Sequence, residues 1–167
     1  MNARSLVVGI FVLAATASVA QSAREVHGSA DVYAAPGVVL AWGVMRGANE
    51  SRTTAVIRIV ADPRVYPWLA VAGIDPFTKT EQPLQRATEV VGDIDVQIPR
   101  SRFADLPRTE VRFFDTASAA QSGMPKLMVF YLGIPDTTPE FADRTKLDAY
   151  LADRVARARI SLDKKTP

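Results

Sequence analysis

The chain has 167 residues, 48% apolar and 23% charged, a globular composition with enough material for one hydrophobic core. Its 20 Lys and Arg stand against 18 Asp and Glu, giving a net charge of +2; no basic run appears except Lys164-Lys165, so nucleic-acid binding is not expected. The absence of cysteine excludes disulfides, thiolate metal sites, cysteine nucleophiles and an acylated lipoprotein anchor.

The N-terminus reads as an export signal. Arg4 supplies a positive start, Leu6 to Ala15 is uncharged and largely apolar, and Ser18-Val19-Ala20 places small residues before a cleavage point after Ala20. Ala15-Thr16-Ala17 is a second possible cleavage site. The apolar stretch has about 15 residues, short of the roughly 18–20 that a spanning helix needs. No later stretch is long enough to span a membrane. Residues 1–20 are therefore expected to be a cleaved signal, 21–29 a flexible lead-in, 30–162 one domain and 163–167 a tail. A disulfide-free exported domain fits a bacterial periplasm.

Asp31 to Tyr33 reads as a short strand, and Ala35-Pro36-Gly37 as a turn. From Val38 to Arg46, Val38, Leu40, Trp42 and Val44 alternate with Val39, Ala41, Gly43 and Met45. The second face is small at Ala41 and Gly43, so either something packs closely over it or the strand bulges at Gly43; the final helix is the candidate cover. After a polar stretch at 47–52, Thr53 to Ala61 completes a hairpin, with Ala55, Ile57 and Ile59 on one face and Arg58 on the other. Three prolines interrupt residues 62–78, so short extended pieces or an edge strand are expected there, followed by a polar loop over 79–86.

Glu89 to Pro99 reads as a strand region with a bulge allowed at Gly92: Ile94, Val96 and Ile98 alternate with Asp93, Asp95 and Gln97, the pattern of a half-buried strand. Phe103 and Leu106 are expected to plug the core from the turn at 101–107. Val111 and Phe113 continue the alternation, 116–125 reads as a loop, and the unbroken apolar run 127–132 reads as a central strand. Thr138-Pro139-Glu140 marks one helix start and Thr145-Lys146-Leu147-Asp148 a capping box. Leu147, Leu151, Val155, Ala158 and Leu162 then form one helical stripe. The expected fold is mainly β, α+β by content: an antiparallel β-sandwich, immunoglobulin-like in general architecture, with a C-terminal helix over about 139–162 that covers the Ala41/Gly43 face.

Candidate chemistry is sparse. His27 is the single histidine and falls in the lead-in, away from any partner that would make a triad or metal set. Asp93 and Asp95 share a strand face as a possible carboxylate pair, though outward polar residues on a wet face have this spacing too. Neither a phosphate loop nor a hydrolase, metalloprotease or redox motif occurs, so no catalytic residue, cofactor or metal is assigned. The best binding candidates are Arg64, Tyr66, Trp68 and Phe77, where aromatics beside prolines offer a platform for sugars or a groove for a peptide. The competing expectation is that Trp68 and Phe77 plug one end of the core. The sequence thus points to an exported, periplasmic or secreted, non-catalytic accessory or binding module acting on another exported protein or an envelope component. The alternatives are a carboxylate-dependent hydrolase or lyase and a small-ligand or lipid carrier.

Overall fold

The computed structural model describes residues 23–163, with side chains described to Arg159. The expected signal segment 1–20, the Leu162 side chain and residues 164–167 lie outside the described residues. One sheet has the order β1-β9-β8-β5-β6, from Arg24–His27, Leu127–Leu132, Arg108–Phe114, Trp68–Ile74 and Glu81–Glu89. The other has the order β10-β3-β4-β7, from Glu140–Phe141, Val38–Met45, Thr54–Ala61 and Ile94–Pro99. β2 (Val32–Ala35) pairs with the first half of β3, on the edge whose far end takes β10. Short helices α1 (Arg102–Asp105) and α2 (Ala117–Ser122) lie in connections, and α3 (Arg144–Asp163) ends the described chain.

The two sheets face each other across one core. Leu40, Trp42 and Val44 of β3 and Ile57 and Ile59 of β4 meet Leu69 of β5, Phe113 of β8 and Tyr131 of β9 there. This is the face that the period-2 pattern assigns inward. The Trp42 and Tyr131 rings meet edge-on at 4.9 Å. The small face of β3 is also buried. Val39 and Ala41, with Val56 and Val60 of β4, pack against Leu147, Leu151 and Val155 of α3. A Cβ at Gly43 would overlap Leu147, so glycine is what lets the helix approach this closely. Burying each of those three α3 side chains stabilises by about 1.5–3 kcal/mol.

Several expectations are corrected. The sheets are not wholly antiparallel: β1 runs parallel to β9 and β10 parallel to β3. Residues 24–27, expected in a flexible lead-in, form β1. The proline-rich stretch contains β5, a seven-residue strand paired on both sides by β6 and β8. Its three prolines, Pro63, Pro67 and Pro76, fall outside the strand and cost it no ladder donor. The expected loop at 79–86 is largely β6, an edge strand that tolerates Pro83, and the expected strand over 89–99 is divided: residues 90–93 turn between β6 and β7. Within the expected loop 116–125, Thr116 caps α2 through the Ala119 N–H, and Gly123 ends it in the left-handed conformation. The final helix starts at Arg144, not near 139. Asp143 accepts the Thr145 and Lys146 N–H groups, so the cap lies two residues before the expected box, and residues 140–141 are β10 instead.

Candidate functional site at the Tyr66 end

The connection from β4 to β5 is a tight turn built on Asp62. The Asp62 carbonyl accepts the Val65 and Tyr66 N–H groups at 3.0 and 2.8 Å. Its carboxylate accepts the Arg64 backbone N–H at 2.9 Å and the Arg64 guanidinium at 3.0 and 2.8 Å. These bonds to Arg64 hold the Asp62 carboxyl below the ordinary carboxylate range. Arg64 therefore sits in solvent, its side chain 87% exposed, and braces the turn that aims the next residues.

Tyr66 is half-buried. Its ring packs on Phe113 at 5.5 Å, and the Lys126 ammonium lies 6.0 Å from the ring centroid. Trp68 begins β5 opposite Glu89 and Phe114, on the side of the sheet away from the core. It too is half-buried, so neither ring is a fully enclosed plug.

Two other connections reach the same end of the sheets. The Val90 N–H donates to the Pro67 carbonyl at 2.8 Å, which places the turn after β6 beside Tyr66 and Trp68. Val91 in that turn is 89% exposed. Met124 follows α2 in the connection from β8 to β9 and is 64% exposed. The Lys126 N–H then bonds the Phe113 carbonyl, which ties this loop to the Tyr66 stack. Val65 is also exposed on the first turn. Three separate connections thus leave apolar side chains in water at the end of the sheets where Tyr66 lies against the core face and Trp68 on the outer face. Apolar and cation–π contact is recognition chemistry, not proton transfer.

The four predicted site residues do not all converge. Arg64, Tyr66 and Trp68 share this end. Phe77 lies in the turn after β5, about 20 Å away along the strand at ~3.3 Å per residue. It is 92% exposed, not a core plug, because Asp75 accepts the Phe77 and Thr78 N–H groups and locks the turn that holds the ring outward. Val91 and Met124 were not singled out in the sequence. Met124 is an isolated apolar residue in a polar connection, whereas Val91 follows Val90 and reads as part of an apolar run.

The acidic candidates also separate. Asp93 is exposed in the turn before β7, whereas Asp95 pairs in-register with Arg58 and receives two 2.8 Å bonds from its guanidinium. Arg144 adds a third at 3.2 Å. Asp95 is thereby held as an ion-pair partner beneath α3, not as half of an open carboxylate dyad. His27 stacks on Phe130 at 5.0 Å on the outer side of its sheet.

A second polar cluster combines Asp31, Thr137, Tyr150 and Arg154. Asp31 is 7% exposed and accepts bonds from the Thr137 and Tyr150 hydroxyls and the Arg154 guanidinium. Burial alone raises its carboxyl, but the two hydroxyls and Arg154 outweigh it and hold Asp31 below the ordinary range. Tyr150 is pushed up to about 12 by burial and by its bond to Asp31. A tyrosine that abstracts protons needs the opposite shift, so this cluster is a clamp joining α3 to the start of β2 and the 137 loop.

Among the described residues, no helix is long and apolar enough to cross a membrane. No protein-family model matches the chain, and neither does any curated protein or solved structure.

Proposed function

We propose that the chain is an exported, periplasmic or secreted, non-catalytic binding module that engages another exported protein or an envelope component through its Tyr66 end. The observation that carries this reading is the exposure of Val91 and Met124 on two different connections beside half-exposed Tyr66 and Trp68. Folding leaves these side chains in water, where a partner's apolar surface gains by covering them. The signal-like N-terminus supports export. The order β3-β4-β7 facing β6-β5-β8-β9 supports an immunoglobulin-like connectivity, in which loops gathered at one end of two sheets make contacts.

The test is capture from an envelope extract of the source cells by the chain lacking residues 1–20. A Val91→Asp/Met124→Asp variant puts charge into the proposed contact without touching the core. A specific partner retained by the parent chain and lost by this variant, with circular dichroism unchanged, supports the reading. Equal capture by both overturns it.

A further inference from the structure

The outer side of the first sheet carries a cleft of about 330 Å³ between β6 and α2. Its floor comes from Ala70 and Ala72 of β5 and Phe114 of β8. The small β5 side chains leave the depression; α2 raises one wall and β6 the other. The volume lies at the lower end of the ~300–1,000 Å³ range of ligand pockets.

The walls are polar and carry both charges. Gln85 and Arg86 of β6 and Gln121 and Ser122 of α2 line the walls, and Glu81 and Arg112 close one side. Arg112 is held in place: its Nη1 and Nη2 donate to Glu81 at 2.8 and 2.9 Å, and its Nε and Nη2 donate to Glu110 at 3.0 and 2.6 Å. Those bonds use four of its five N–H groups, leaving one on Nη1 without a partner among the described residues. Each Glu81 oxygen keeps acceptor capacity after its single bond to Arg112. The cleft thus offers fixed donors and acceptors over an apolar floor.

We propose that this cleft binds a neutral saccharide unit. The carboxylate of Glu81 disfavours an anion, and the guanidinium groups of Arg86 and Arg112 disfavour a cation. A neutral polyol both donates and accepts, as this wall requires, and its C–H face suits the alanine floor. An added peptide strand is the competing neutral ligand. β6 is a poor template for one, because Pro83 lacks an N–H and the β5–β6 register shifts twice. The assignment rests on the reading of the chain as a binding module, but uses residues separate from Val91 and Met124.

The test is nuclear magnetic resonance of the nitrogen-15-labelled chain lacking residues 1–20, titrated separately to millimolar concentrations with N,N′-diacetylchitobiose, cellobiose, maltose and, as the competing ligand, an acetylated tripeptide. At least one disaccharide is expected to move the backbone amides of Ala70, Ala72, Gln85 and Gln121. Gln121→Ala is expected to weaken that binding about tenfold, equivalent to ~1.4 kcal/mol. Ala87 is exposed and lines the cleft, so Ala87→Trp is expected to abolish the shifts without unfolding the chain. Val91→Asp/Met124→Asp is expected to keep them. No response to any of the three sugars, shifts that survive Ala87→Trp, or selective response to an acetylated tripeptide overturns the assignment. If those results appear while capture still depends on Val91 and Met124, only the cleft assignment falls.

Discussion

Replacing Asp31 with asparagine removes one negative charge from the point where three distant segments meet. Asp31 precedes β2, Thr137 lies 106 residues later, and Tyr150 and Arg154 belong to α3. The Asp31 side chain is 9% exposed, so water cannot replace what the substitution removes. Hydrogen bonds to a charged group contribute about 1.5–3 kcal/mol each, and bonds sharing one acceptor are not additive. Asparagine keeps one acceptor oxygen but turns an amide toward donors, so the expected loss is about 3 kcal/mol. For a domain of this size that lowers Tm by roughly 6–12 °C. Urea unfolding followed by tryptophan fluorescence reads the loss directly, because Trp42 is fully buried. The effect has a pH signature. The folded carboxyl binds its proton less tightly than the unfolded one, so its stabilisation is full above the ordinary carboxylate range. It disappears as pH falls through the lowered folded value. Parent and Asp31→Asn curves should therefore converge on acidification. A loss below about 0.5 kcal/mol at neutral pH, or a gap that stays constant down to about pH 2, refutes the clamp.

Three other outcomes follow from the geometry. Tyr150 is raised to about 12, so its stabilising contribution is present below about 10, the unfolded value, and is lost as pH rises through the folded value; ultraviolet titration of Asp31→Asn should show one tyrosine returning toward ordinary ionisation. Gly43→Val forces Leu147 away and should cost about 1–3 kcal/mol in urea unfolding, with Leu147→Ala recovering part of the loss when combined. Phe77→Ser should leave stability within about 0.5 kcal/mol of the parent by thermal unfolding, because the ring contributes to no core.

The hairpin of β3 and β4 was legible because both of its faces are encoded: bulky residues point to the core and small ones to α3. Gly43 even predicted that something would approach closely. The helix stripe was legible for the same reason, since Leu147, Leu151 and Val155 repeat on one face. The central position of β5 was not. Proline acts against a strand only where it sits inside the ladder, and spacing alone did not reveal that Pro67 and Pro76 bracket it. α2 escaped because its stability comes from a threonine cap and a left-handed glycine around a weak Ala/Ser pattern. The candidate site was half legible. Tyr66 and Trp68 stood out as aromatics, but Val91 and Met124 join them only because three connections far apart in sequence end at the same edge of the layers. Phe77 was misplaced for the converse reason: nearness in sequence does not survive a strand that carries it to the other end.

The parallel seam between β1 and β9 has a kinetic cost. Arg24 pairs with Leu127 and His27 with Phe130, so the first strand made finds its place only against one of the last. During synthesis, β1 remains an unmatched ribbon until more than a hundred further residues have emerged. Asp31 likewise stays without its Thr137 and Tyr150 partners. Such distant pairing delays closure of the native layers, a disadvantage for speed. The same delay makes the β1 edge and the Asp31 clamp the last parts of the fold to lock in a chain made from its N-terminus.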